Sequence, residues 1–295
     1  MGQAWKCAGL RWSAEGPVLM WDGGRRSPLS WGKRVAFEVA EGGVRQCVGA
    51  RGHACPVRAA VPGRSAGARC EECARLDRAH SVAADGIADD PRPYRVYLAW
   101  FGPGLVKVGI TAVERGSVRL LEQGAVCFSW LGSGPLMAAR RTEELLRAAL
   151  RVPDRIPYTE KRAVRAALPR DEEERIGEIR EVHARAVELA GWPESLTRAS
   201  FQAVDHLRAF GLDAAPAAQG EVRELVAGGA VSGELVAAAG PDLHLASGER
   251  VVVLDTRLMR GWELVPAGGE ERQRRAFRLP VREFEDARHR QDGLF

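Results

Sequence analysis

Residues 94–111 read YRVYLAWFGPGLVKVGIT, two short apolar runs, RVYLAWF and LVKVGI, parted by Gly102, Pro103 and Gly104. Short runs rich in Val, Ile, Tyr, Phe and Trp that meet at Gly and Pro predict a β-hairpin. The continuation to residue 150 alternates helical and strand periodicity, so that 94–150 predicts a β-β-α-β-α order. Upstream, residues 1–46 alternate apolar and polar positions in GPVLMWD and RVAFEVAEGGVRQC, with turns at Asp22, Gly23, Gly24 and at Glu41, Gly42, Gly43; they predict a small antiparallel β unit. Downstream, residues 151–213 carry helical spacing in EKRAVRAAL, DEEERIGEIREVHARAVELAG and PESLTRASFQAVDHLRAFG. Asp171 and the three glutamates after it suit a helix N-terminus, and their charge run reads as a solvated face. Residues 214–295 return to strand-like runs, GELVAAAG, LHLASG, ERVVVLDTRL, GWELVP and FRLPVREF. The expected class is α+β in five consecutive segments: a β-rich unit at 1–46, a cysteine-bearing segment at 47–81, the central domain at 94–150, a helical segment at 151–213 and a β-rich segment at 214–295. VAADGIADDPRP at 82–93 reads as an acidic, proline-bearing linker.

The hairpin raises a chemical question. Tyr97 and Lys107 put a phenol and an amine into runs otherwise suited to burial, and Gly109 follows at once. Lysine is scarce: Lys6, Lys33, Lys107 and Lys161 stand among 43 basic residues. The abundance of Arg, Ala and Gly reflects a GC-rich coding sequence, so arginine alone points to no function. Net charge is +4, which permits nucleic-acid binding without requiring it. No apolar run is long enough for a membrane helix, and MGQAWKCAGLRW does not resemble a secretory signal, so a cytoplasmic protein is expected. Four of the eight tryptophans, Trp5, Trp12, Trp21 and Trp31, fall in the first segment, where they serve sheet packing or base stacking.

Cys47, Cys55, Cys70 and Cys73 follow the spacing C-x7-C-x14-C-x2-C. A CxxC turn supplies two ligands of a tetrahedral zinc, and the absence of a secretory pattern favours metal over disulfides. The first pair is wider than a zinc knuckle normally has, and His53, two residues before Cys55, is an alternative ligand for Cys47 or Cys55. A redox CxxC and four unligated thiols are the other readings of these residues. Cys7 and Cys127 read as small buried apolar residues.

Taken together, RVYLAWFGPGLVKVGITAVERGSVRLLEQGA and the later AARRTEELLRAAL resemble the GIY-YIG nuclease superfamily, whose hairpin carries two namesake tripeptides ahead of an arginine helix and a glutamate helix. Arg95, Val96 and Tyr97 stand at the first tripeptide, and Lys107, Val108 and Gly109 at the second. Thr111 completes the Gly-x-Thr that often follows, Arg119 stands at the helix arginine, Gln123 stands where a histidine is frequent, and Glu143 stands at the glutamate with Glu144 as its rival. KVGIT with its downstream Arg and EQGA, preceded by a cysteine-rich segment, also looks like an uncharacterised bacterial and archaeal family of unknown function.

The superfamily resemblance implies a divalent-metal-dependent phosphodiester hydrolase acting on DNA or RNA. In it Tyr97 would accept or relay the proton of a water, and Arg119 would clamp a phosphate oxygen with its planar fork. Glu143 would hold one Mg²⁺ or Mn²⁺, while Gly109, Thr111 and Gln123 would line the substrate side. Lys107 in place of the second tyrosine departs from the pattern. It leaves open a catalytically degenerate nucleic-acid-binding protein, or an enzyme of another class that turns the same cleft on a small metabolite.

Overall fold

The computed structural model describes residues 3–79, 90–267 and 278–284; most of the expected linker at 82–93 lies outside them. Contacts divide the chain into two units. One contains Met1–Arg11, Glu15–Asp77 and Ala215–Phe295, the other Trp12–Ala14 and Arg78–Ala214. Helices and strands mix throughout, as the α+β expectation requires.

The first unit is built on a ten-stranded sheet. Its N-terminal strands are β1 (Trp5–Ser13), β2 (Gly16–Trp21), β3 (Arg26–Pro28) and β4 (Arg34–Val39), and helix α1 (Glu71–Ala79) starts inside the CxxC and carries Cys73 in its first turn.

The second unit opens with the hairpin, β5 (Pro93–Trp100) and β6 (Val106–Ala112), antiparallel through the Gly-Pro-Gly turn. Then come α2 (Val118–Gln123), β7 (Cys127–Pro135), α3 (Leu136–Leu150), α4 (Tyr158–Val164), α5 (Glu172–Val187), β8 (Thr197–Arg198) and β9 (Ala203–Asp205). The chain returns to the first sheet with β10 (Gly220–Val222), β11 (Ala230–Ala239), β12 (Asp242–Ser247), β13 (Arg250–Asp255), β14 (Glu263–Pro266) and β15 (Val281–Glu283).

The strands expected as separate N- and C-terminal segments therefore share one sheet, because β4 pairs with β11 and β14, and β14 pairs with β1. A few short strands cannot bury enough apolar surface alone, and a long-range partner supplies the missing face. Residues 47–77 are tied into the same unit by Arg45, whose buried guanidinium donates to the carbonyls of Pro62, Gly63, Ser65, Arg257 and Arg260.

In the second unit β5 lies between β6 and β7, and alternate residues of β5 face two different cores. Tyr94, Val96, Leu98 and Trp100 join the larger core with residues of α3 and α5, while Tyr97, Ala99 and Phe101 join a smaller one with Leu120 of α2.

The third expected helix, PESLTRASFQAVDHLRAFG, is corrected. Its residues form β8 and β9, which pair with β7, and Ala199 N donates to Leu131 O. The open edge of β7 outweighs a local helical spacing that contains Ser and Thr. The charge run of α5 is also only partly solvated. Its N-cap Asp171 accepts from Glu174 N, but Arg175 is buried in an ion pair with Asp205 at 2.7 Å, and Glu178 accepts from Trp100 Nε1 and, at 3.0 Å, from Gly104 N. Glu178 thereby fastens the hairpin turn to α5.

Candidate functional site

The hairpin register places Tyr97 opposite Gly109 and Lys107 opposite Ala99, so Tyr97 and Lys107 are diagonal neighbours on one face. Lys107 Nζ lies 5.7 Å from the Tyr97 ring centroid. Gly109 is required by this crossing. A Cβ there would fall 2.4 Å from the Tyr97 hydroxyl oxygen, so only glycine lets the phenol lie across β6. Thr111 is buried two residues further along the same face. Arg119 and Gln123 come from α2, which starts at Val118 after a single 3-10 turn rather than directly after the hairpin. Gln123 Nε2 donates to the Tyr97 hydroxyl at 2.8 Å, a bond the sequence pattern did not reveal. Behind it, the buried Lys161 of α4 donates to the Gln123 carbonyl at 3.0 Å and lies 3.7 Å from the Phe101 ring centroid. Arg119 is half-exposed and lies 3.9 Å from a Glu122 carboxylate oxygen.

Helix α3 packs along β5 and β6 and supplies Glu143. Glu143 is partly buried, whereas its rival Glu144 is exposed and paired with Arg147. The turn after α3 completes the site. Val108 N donates to Pro153 O and Lys107 Nζ to Asp154 O, both at 2.9 Å, so this turn covers the free edge of β6.

The side chains act on one another electrostatically. Burial holds the Tyr97 phenol above its ordinary range, and Glu143 pushes in the same direction against Gln123 and Arg119. Burial, aided by Arg119, lowers the Lys107 amine to about 8, against the opposing charges of Glu143 and Asp154. Burial raises the Glu143 carboxyl, with Asp154 adding to it and Lys107, Arg147 and Arg140 opposing. Tyr97, Lys107, Arg119, Gln123 and Glu143 thus share one neighbourhood.

A charge penalised by burial has a measurable cost. The folded Lys107 gives up its proton near 8 and the unfolded one near 10.5, so its cost is full below pH 8 and gone above 10.5. Lys107→Met is expected to stabilise the protein at pH 7 by about 1–2 kcal/mol, after loss of the bond to Asp154 O. In melts taken across pH, that gain should shrink from pH 8 to 10.5; a destabilised variant at pH 7 would contradict it.

In the other unit, the Sγ atoms of Cys47, Cys55, Cys70 and Cys73 lie within 4.8 Å of one another and could hold a metal ion such as zinc. Cys47 Sγ accepts from Cys70 N at 3.2 Å and Gly49 N at 3.4 Å, as a thiolate ligand does. The Ala59 and Val57 amides help lower Cys55 to about 7, while burial and the neighbouring thiols push Cys73 up to about 12. Four thiols so close cannot all ionise without a cation among them, so the donor set fits a metal. His53 is exposed on a turn with Ala50 and does not join the group, so the alternative ligand is not used. Among the described residues this is the one such cluster. Cys7 and Cys127 are buried; Cys127 Sγ donates to Asp205 Oδ2 at 3.2 Å.

Among the described residues no helix is long and apolar enough to cross a membrane. A family model described as "Protein of unknown function (DUF2797)" matches residues 32–264, a span that takes in both the cysteine cluster and the hairpin. Searches of curated proteins and of solved structures return no significant match.

Proposed function

The chain belongs to the family described as protein of unknown function DUF2797, and we propose that it is a cytoplasmic, metal-dependent phosphodiesterase, a nuclease that acts on DNA or RNA through a GIY-YIG-like site. The observation that carries this reading is the convergence of Tyr97, Lys107, Arg119 and Glu143, drawn from a hairpin and two helices, on one neighbourhood. Such a set gives phosphodiester cleavage what it needs: cations for the developing charge, a proton acceptor and an oxygen ligand for a divalent ion.

Glu143 is the residue that would hold Mg²⁺ or Mn²⁺, since its carboxylate is disfavoured by burial and by Asp154, and a cation relieves both. When bound, that ion would polarise the phosphate. Arg119, half-exposed at the start of α2, grips a non-bridging oxygen. Tyr97 stays protonated at neutral pH and accepts from Gln123, so its own O–H is a donor for phosphate or water rather than a base. Lys107 is the group suited to take the proton of the attacking water, because its amine is neutral in part near pH 8. A residue that departs from the superfamily pattern thus takes over the basic role. The cysteine cluster holds structural zinc in this reading and contributes to folding rather than to chemistry.

The test is incubation of the wild type with end-labelled DNA and RNA strands and Mg²⁺ or Mn²⁺. Hydrolysis is expected, with a rate that climbs through pH 8 and levels above it as Lys107 loses its proton. Binding without cleavage at any pH would replace this reading with the degenerate binding protein. Inertness toward nucleic acid altogether would leave the small-metabolite enzyme.

A further inference from the structure

The pairing of β5 with β7 contains a bulge. Val96 faces Gly132, but Tyr97 faces Trp130, and Leu131 is the extra residue. Bulges re-aim side chains and recur beside active sites. Here Leu131 turns into the larger core with Val96 and Leu98, and Trp130 turns to the face of Tyr97. Unbulged pairing would put Leu131 on that face and Trp130 in the core. The Trp130 and Tyr97 ring centroids are 6.1 Å apart and nearly perpendicular, and Phe128 supports the indole edge-on at 5.1 Å. Tyr97 and Phe128 are fully buried, while Trp130 remains partly exposed.

Arg95 lies over this indole, its Cζ 4.9 Å from the ring centroid. It stands on the same face of β5 as Tyr97, two residues earlier. Among the described residues no carboxylate pairs with Arg95, and the Trp130 indole N–H donates to no protein group. A guanidinium over an indole, with no carboxylate partner among the described residues and beside the Tyr97 and Lys107 side chains, is a surface for a flat, electron-rich partner.

We propose that Arg95 and Trp130 form a stacking subsite for one unpaired nucleobase, which caps the guanidinium and continues the order indole, guanidinium, base. The inference rests on the reading of the cleft as a phosphodiester site and names its substrate class: a single-stranded or flipped-out nucleotide. In a duplex both faces of a base are already stacked, so a paired base offers nothing to Arg95. Stacking reads no base edge, so the subsite tolerates any base. Arg119 of α2, half-exposed and acting electrostatically on Tyr97, supplies a cation for the strand's phosphates.

The experiment compares wild type, Arg95→Lys and Trp130→Phe for binding to a fluorescent single-stranded DNA and to a matching sugar–phosphate strand that is abasic throughout, without added divalent ion. Arg95→Lys keeps the charge and loses the plane. It is expected to bind the base-bearing strand about tenfold more weakly than wild type and the abasic strand equally. Trp130→Phe is expected to weaken the base-bearing strand in the same sense by a smaller factor. Wild-type affinity in Arg95→Lys, an equal loss on both strands, or no binding of either strand by the wild type would overturn the proposal. So would adenosine monophosphate binding as tightly as the strand, which would make the ligand a free nucleotide. The two readings fail separately. Arg95→Lys that binds and cleaves as the wild type does sinks the stacking subsite alone, and base-dependent binding without any cleavage sinks the nuclease alone.

Discussion

Dialysis of the purified protein against a strong zinc chelator is expected to lower its thermal midpoint sharply, and elemental analysis before dialysis is expected to find about one zinc per chain. The expectation follows from how little else holds the 47–79 region together. Its apolar cluster consists of Cys47, Cys55, Val61 and Cys73, with Cys70 and two alanines packed against it, so most of that core is thiol. Its regular structure is one nine-residue helix and isolated bridges. Structural zinc contributes on the order of 10 kcal/mol to the folding of such a segment, comparable to the whole stability of a typical domain.

The damage should not stay local. Arg45 is held by carbonyls from two places, Pro62, Gly63 and Ser65 inside the cysteine segment and Arg257 and Arg260 near the ten-stranded sheet. Burial lowers its guanidinium to about 10, and the carbonyls compensate only while the segment is folded. Cys73→Ser should reproduce the effect of chelation. A metal-free protein whose melting ignores the chelator would contradict this account.

The parts of the molecule that were legible in the sequence are those fixed by local chemistry. The hairpin was legible because two β-rich runs meet at Gly-Pro-Gly, and the structure pairs them in that way. The four cysteines were legible through the CxxC turn, although the wide spacing of the first pair gave no reason to prefer Cys47 over His53; the turn that exposes His53 decides it. Glu143 and Glu144 are equivalent in the helical pattern, and only the packing of α3 makes one partly buried and the other a surface ion pair.

What was not legible is long-range. Nothing in the sequence near Val35 announces that β4 will pair with β11, nearly 200 positions away, and five expected segments therefore collapse into two units. The false helix at 193–211 has the same cause, since the edge of β7 that captures β8 and β9 is a tertiary feature. The bulge at Leu131 and the turn at Pro153 and Asp154, which pack beside Tyr97 and Lys107, left no periodicity to read. Lys161 did leave a signal, its rarity as a lysine, but not its role behind Gln123.

Glu143→Ala is expected to lower Mg²⁺- or Mn²⁺-dependent cleavage by at least about a hundredfold, the scale on which enzymes lose rate when one source of transition-state charge stabilisation is removed. It should not cost stability. The carboxylate is partly buried and held above its ordinary range chiefly by that burial, so the protein carries it at a loss that alanine removes. Lys107 loses a favourable neighbour, but its amine also rests on Asp154 O and on the Asp154 charge. The two effects oppose each other, and the melting temperature should stay within about 2 °C of wild type. The most direct test of the cleft is therefore a paired measurement on wild type and Glu143→Ala: the rate of cleavage of an end-labelled single strand with saturating Mn²⁺, and the thermal midpoint in the same buffer. The account predicts that the rate collapses while the midpoint holds. Equal cleavage by both proteins, or a lost rate that only tracks a lost fold, would contradict it.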